Sequence, residues 1–348
     1  MSNRRNFVKQ VSALGLLSAM PDILLSQQTV AATQQKAAHN KMWGCLIHLS
    51  FNMWEEYIAP EREGRGYRPD LRVSDTLWSD AREKMVKEGM NMVLIDLGDA
   101  IKYKSHPEIA VNNAWSRSRL KNELAKFRAA GLEPIPKLNF STGHDTWLGK
   151  YSRMVSTDEY YAVCKDLIAE VIDLFDKPRF FHLGMDEEDA EHQRFYQYIV
   201  VRQKDLWWKD FYFLMNEVEK KGSRPWIWSD AIWHRPDDFL KKMPKSVLQS
   251  NWYYRKTFDD LTLPQLKAYT DLEAHGYDQV PTGTSYYPDI QQNMMGNVQY
   301  CSKNIADERL LGFLQSLWVP TIDENRELVL KGIELTGDSK KWYDKNRK

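Results

Sequence analysis

Short apolar runs alternate with longer amphipathic stretches from residue 42 to the C-terminus. Runs at 43–49, 92–97, 133–138, 179–184, 225–229, 247–251, 279–285 and 311–317 read as buried strands. Between them, apolar residues recur every three or four positions over 76–88, 118–130, 158–175, 204–221, 263–274, 290–305 and 324–335, which predicts helices; 236–242 is a shorter helical stretch. Gly89, Gly131 and Gly222 each follow a last helical turn, and Ser156-Thr157-Asp158-Glu159 reads as a capped helix start. Strand–helix alternation implies a parallel sheet with right-handed crossovers. Eight such units in about 300 residues fit a single (β/α)8 TIM barrel better than an open doubly wound sheet. No GxGxxG turn follows the first strand, which also weighs against a dinucleotide fold.

The barrel gives the polar residues at strand exits a common place, because chemistry in this architecture sits on loops at the C-terminal ends of the strands. Those exits carry His48, Ser50 and Asn52, then Asp96 and Asp99, then Lys137, Asn139 and His144. The fourth strand ends in His182-Leu183-Gly184-Met185-Asp186-Glu187-Glu188. Later exits supply Trp228, Asp230, Asn251, Trp252, Tyr286, Tyr287, Gln315 and Trp318. Strand parity puts His182, Gly184 and Asp186 on one face. Adjacent carboxylates at such an exit can take different tasks, one kept ionised and one kept protonated. Thirteen Trp and 17 Tyr skew the composition. Trp43, Trp78, Trp207 and Trp208 suit the core, whereas Trp228, Trp252 and Trp318 at strand exits suit the face of a sugar ring.

Composition removes several function classes. Lys+Arg and Asp+Glu both number 48, so no basic excess points to nucleic acid. Cys45, Cys164 and Cys301 are scattered and odd in number, which fits buried free thiols rather than a disulfide framework. No metal-ligand spacing and no cofactor motif is apparent, so neither a metal nor a cofactor is expected. The N-terminus has its own logic. Asn3-Arg4-Arg5-Asn6-Phe7 precedes a short apolar segment and small residues at Val30-Ala31-Ala32, the layout of a twin-arginine export signal. The expected organisation is a signal over 1–32, a linker over 33–41 and a barrel over 42–348, in a bacterial protein exported to the periplasm.

The motif at the fourth strand resembles glycoside hydrolase family 20, the β-N-acetylhexosaminidases. That family carries His-x-Gly-Gly-Asp-Glu where this chain has His182-Leu183-Gly184-Met185-Asp186-Glu187. Its I-P-E-x-D-x-P-G-H block resembles the run from Ile135-Pro136-Lys137-Leu138-Asn139 to His144. Weaker echoes follow in order around Trp228 and Asp230, Asn251 and Trp252, Tyr286 and Tyr287, and Gln315 to Trp318. The resemblance implies a carbohydrate substrate, with Glu187 as general acid/base and Asp186 orienting a 2-acetamido group whose carbonyl oxygen is the nucleophile. It makes His144 the histidine behind the carboxylates and Tyr286 or Tyr287 the partner of the attacking carbonyl. His48, Lys137, Asn139, His182, Trp228, Asp230, Asn251, Trp252, Gln315 and Trp318 become candidates for substrate binding. On this mechanism Glu187 should have a raised pKa.

The chain also departs from that pattern. It has no arginine in the first strand, Lys137 and Asn139 in place of the acidic pair, Met185 for the second glycine, and Trp318-Val319-Pro320 where the family has Trp-x-Glu. Two other functions therefore stay open. One is a two-carboxylate glycosidase with Asp96, Asp99 or Asp230 as nucleophile or base. The other is an exported sugar-binding barrel without catalysis.

Overall fold

The computed structural model describes residues 41–57 and 64–347. The expected export signal at 1–32 lies outside the described residues. Eight strands form one parallel sheet: β1 (Met42–His48), β2 (Met92–Asp96), β3 (Glu133–Lys137), β4 (Phe180–His182), β5 (Arg224–Trp228), β6 (Leu248–Ser250), β7 (Thr282–Thr284) and β8 (Gly312–Ser316). Neighbours run in the order β6-β5-β4-β3-β2-β1-β8-β7. Parallel bridges Gln249–Gln279 and Trp252–Thr282 join the two ends. There Val280 N–H donates to the Gln249 carbonyl (2.8 Å) and Thr282 N–H to that of Asn251 (2.9 Å). The result is the (β/α)8 barrel expected from the alternation.

The crossovers are α1 (Asp75–Lys87), α2 (Arg117–Ala129), α3 (Asp158–Leu174), α4 (Lys204–Lys220), α5 (Ala231–His234), α6 (Pro236–Lys242), α7 (Pro264–Ala274), α8 (Asn293–Asn304) and α9 (Arg326–Asn346). Thr157 caps α3 as predicted, its side chain accepting from Tyr160 N–H. The last helix runs well past the expected end at 335. Its core-facing positions include Gly332, Thr336, Gly337 and Ser339, small residues that hide the apolar period although they are buried. Among the described residues no helix is long and apolar enough to cross a membrane.

Side-chain alternation divides the interior into two layers. Met42 and Leu46 of β1, Met92 and Leu94 of β2, Ile135, Phe180, Trp226, Trp228, Leu248, Val280 and Leu314 fill the barrel. Residues of opposite parity, such as Trp43, Cys45 and Ile47, pack outward with the helices, where Trp78, Trp207 and Trp208 also lie. All three cysteines are free and buried. Parity then fixes which strand-exit residues can reach the mouth.

Candidate active site

The chain past β4 is held open by its backbone. Gly184, Met185 and Glu187 all have positive φ (74°, 76° and 51°). A side chain on Gly184 would collide with the Asn139 amide, 1.9 Å from its Oδ1. Met185, which replaces a glycine of the hexosaminidase pattern, takes the left-handed conformation even with a side chain, and such strain gathers at functional sites. Asn139 organises this turn: its Oδ1 accepts from Ser141 N–H (3.0 Å) and Met185 N–H (3.2 Å), and its Nδ2 donates to Asp186 Oδ1 (2.8 Å).

Asp186 and Glu187 emerge together into a cleft of about 210 Å³. Trp54, Trp252, Tyr254, Tyr286 and Trp318 wall it, with Arg65, Glu191, His192 and Arg194 at its edge. His144 stands behind the two acids, its Nε2 3.1 Å from Glu187 Oε2 and 3.4 Å from Asp186 Oδ2. His192 Nε2 reaches the same Glu187 oxygen at 3.3 Å. From below, Asp230 Oδ2 accepts the Glu187 backbone N–H at 2.8 Å. His144, Asp186 and Glu187 form the one His/carboxylate trio among the described residues with donor atoms within 4.8 Å of one another. A hydrogen-bond network centred on His144 Nε2 accounts for that closeness.

The electrostatics do not match the expected raised Glu187. Burial pushes this carboxyl up, but the hydrogen bonds and charges of His144 and His192 outweigh it and hold Glu187 below the usual carboxylate range. The acid bonded to the Glu187 backbone, Asp230, is instead pushed well up by burial and then by the charge of Asp186. His192 is its counterpart: burial lowers it, while Glu187 and then Asp189 raise it to about 9.

The predicted site residues separate into layers. Asp186, Glu187, Trp252, Tyr286 and Trp318 line the cleft, with Asn139, His144 and Asp230 directly supporting the acids. Trp228 and His182 lie beneath, fully buried, with ring centroids 4.3 Å apart. His182 Nδ1 accepts the Gly184 N–H (3.0 Å), and burial followed by the Lys137 charge keeps its ring neutral. Lys137 and His48 also lie inside the barrel rather than in the cleft wall: Lys137 Nζ pairs with Asp96, and His48 Nδ1 is 3.6 Å from the same carboxylate. Asn251 and Gln315 have the outward parity. Asn251 bonds Trp233 Nε1 and the Gln265 carbonyl, and Gln315 bonds Ser285. Tyr287 is 50% exposed outside the cleft, its ring against that of Tyr286.

Six cleft residues had no strand-exit signal. Trp54 and Arg65 come from the long β1–α1 loop, and the Arg65 guanidinium lies 4.4 Å over the Trp54 ring. Tyr254 stacks on Trp252 at 4.9 Å and accepts from Trp318 Nε1 (3.2 Å). Glu191, His192 and Arg194 sit on the β4–α4 loop. That loop is pinned by the buried Arg202, which binds Glu188 through Nε (2.8 Å) and Nη2 (2.6 Å). Glu188 is thus a loop anchor and does not line the cleft with Asp186 and Glu187.

No protein-family profile matches the chain, and no curated protein sequence does. Solved structures do. Flavobacterium johnsoniae chitobiase superposes with a TM-score of 0.57 at 16% identity, over 85% of this chain and 47% of that one. The GH20 β-N-acetylhexosaminidase of Streptomyces coelicolor A3(2) gives 0.58 at 12% identity, over 86% and 64%. Dispersin B gives 0.56 at 17% identity, over 86% and 98%. The chain thus spans about half to two-thirds of the first two and nearly all of the third. At these identities the likeness is one of fold.

Proposed function

We propose that this chain is an exported glycoside hydrolase of the hexosaminidase type, acting on a 2-acetamido sugar with retention of configuration. The observation that carries this reading is the pair Asp186–Glu187, set side by side at the exit of β4 in a cleft walled by five aromatic side chains. A cleft of this size suits one pyranose ring, whose C–H faces pack on indole and phenol rings. Asp186, held by Asn139, polarises the acetamido N–H. The carbonyl oxygen then attacks C1 while Glu187 protonates the leaving oxygen. Tyr286 steadies that carbonyl. Arg65 supplies the guanidinium that the first strand lacks, bonding the sugar's hydroxyls from the β1–α1 loop. The structural neighbours, a chitobiase and a β-N-acetylhexosaminidase, support the same substrate class. Export by the twin-arginine route and a periplasmic location belong to this proposal and rest on the N-terminal motif.

Acids available for a two-carboxylate mechanism are poorly placed. Asp96 is engaged by Lys137, Asp99 by Ser50 and Asn52, and Asp230 by the Glu187 backbone. The decisive experiment is hydrolysis of aryl 2-acetamido-2-deoxy glycosides by the wild type, Asp186→Asn and Glu187→Gln, with a thiazoline analogue of the cyclic intermediate as inhibitor. Loss in both variants and inhibition by the thiazoline are expected. Full activity in either variant, or equal turnover of sugars lacking the acetamido group, overturns the mechanism. Saccharide binding without turnover of any glycan would leave a binding barrel instead.

A further inference from the structure

We infer that His192, held by Asp189, is the positioning residue that keeps Glu187 supplied with its proton, so that the two side chains act as one proton-sharing pair. The inference rests on the hydrolase reading above and deepens it. Its basis is geometric. His192 Nδ1 lies 2.9 Å from both Asp189 oxygens, and the His192 backbone N–H also bonds Asp189 at 2.9 Å. Asp189 accepts, so the Nδ1 proton is fixed there. Nε2 then faces Glu187 Oε2 at 3.3 Å. A bare nitrogen lone pair against a carboxylate oxygen at that distance is repulsive. A proton on Nε2 turns this contact into an ion pair, beside the hydrogen bond that the same oxygen makes with His144 Nε2 at 3.1 Å.

Other charged groups around this imidazole set the balance. Its own loop contributes Glu187, Asp189, Glu191 and Arg194, and the β4 exit Asp186. The β3–α3 loop brings the His144 ring, 6.4 Å away, the β1–α1 loop Arg65, and the β7 exit Tyr286. Glu191 and Arg194 are paired with each other. Glu187 and Asp189 push the His192 imidazole up to about 9 against its burial, while His144 and His192 hold the Glu187 carboxyl below its usual range.

In the reaction the proton passes from His192 Nε2 to Glu187 and on to the glycosidic oxygen. The C1–O bond breaks with its electron pair staying on that oxygen, which leaves as an alcohol. His192 is then neutral. When water adds to C1, the C1–O bond to the acetamido oxygen breaks and regenerates the acetamido group, and the water's proton goes to Glu187 and on to His192, restoring the pair.

The test begins without catalysis. Imidazole 15N NMR of the wild-type protein should place the His192 titration near pH 9, at least one unit higher than in Glu187→Gln and in Asp189→Asn. A wild-type midpoint near an ordinary histidine value of about 6.5, or no movement in either variant, overturns the inference. The second readout is the pH profile of His192→Gln, which can hold a hydrogen bond but carries no proton. Its alkaline limb should fall by at least one unit. At pH 8, kcat/KM on an alkyl glycoside should drop about 10²-fold, against less than about 10-fold on a dinitrophenyl glycoside, which needs little acid assistance. Equal losses on both substrates with an unmoved limb would mean that His192 merely holds the loop, and would overturn the inference. A shifted His192 titration with no hydrolysis of any glycoside sinks the hydrolase reading while supporting the shared proton, so the two failures are distinguishable.

Discussion

Asn139 donates its side-chain amide to Asp186 at 2.8 Å, and its amide oxygen occupies the space that a side chain on Gly184 would need. The hexosaminidase pattern that the sequence resembles has an aspartate here. An amide can stabilise an ionised Asp186 at every pH, whereas a carboxyl can do so only while protonated. Asn139→Asp should therefore work at acidic pH and fail as the new pair loses its shared proton. Its kcat/KM profile should collapse on the alkaline side well below the wild-type limb. Asn139→Leu also strands the Ser141 and Met185 N–H groups, which should cost about 1–3 kcal/mol each at most in chemical denaturation. A wild-type pH profile for Asn139→Asp would show that Asn139 does not set the charge of Asp186.

Tyr286 and Tyr287 are adjacent in sequence but differ in placement: Tyr286 lines the cleft, while Tyr287 is half exposed. Tyr286→Phe should lower kcat on 2-acetamido substrates about 10²-fold, the scale of removing one hydrogen-bond donor from a developing charge. Tyr287→Phe should stay within about 2-fold, as expected for a surface side chain outside the machinery. Steady-state kinetics of the two variants assigns the role. The reverse ranking would move the acetamido carbonyl to the other ring.

Barrel and carboxylate pair were both legible in the sequence because they depend on periodicity and on one contiguous motif. Eight strands announced themselves through apolar runs, even where β4, β6 and β7 shorten to three residues each. Parity placed His182, Gly184 and Asp186 on the inner face. Applied further, it would have excluded Asn251 and Gln315, since Gln315 pairs with the outward-facing Cys45 of β1 and the Asn251 amide bonds the Gln265 carbonyl of α7. His48 and Lys137 were harder. A lysine near a strand exit looks like a ligand for substrate until Asp96, distant in sequence, is seen to neutralise it inside the barrel. Trp54, Arg65, Tyr254 and His192 could not be found from strand exits, because loop length and closure, not hydropathy, bring them to the mouth.

Lys137 is fully buried against Asp96, inside the barrel rather than in the cleft wall, so its substitution tests stability. Burial pushes Asp96 up, but the Lys137 charge and His48 outweigh it and hold the carboxyl below its ordinary value. Such an acid contributes stability above its unfolded pKa and loses it as the pH falls through the folded one. Lys137→Met leaves the carboxylate buried alone, which should cost about 3–5 kcal/mol at pH 7. With the cation gone, burial, the largest influence on Asp96, is opposed only by His48, so the carboxyl should rise, the sign reverses and the variant gains relative stability on acidification. Urea denaturation at pH 7 and pH 4.5 checks this: the gap from wild type should be wide at the first and narrower at the second. A gap that does not change with pH would mean that Asp96 is not the group left uncompensated.

Gly143 tests how firmly Glu187 must be held. A methyl group on Gly143 would stand 2.5 Å from the Glu187 backbone carbonyl oxygen. The obstacle is backbone and cannot rotate away. Gly143 itself is anchored, its N–H donating to Ser141 Oγ (3.1 Å) and its carbonyl accepting from Tyr196 Oη (2.9 Å). The Gly143→Ala collision is therefore relieved mainly by moving Glu187, whose carboxylate then leaves His144 and His192. Overpacking of this kind should cost about 1–3 kcal/mol of stability, leaving the barrel folded. Catalysis should suffer more, because a misplacement of about 1 Å in a reacting group costs about 10²-fold in rate. Circular dichroism with kcat/KM on one substrate separates the two effects. Wild-type kinetics in a folded Gly143→Ala protein would show that the Glu187 loop adapts, and that its position is not set by the packing against Gly143.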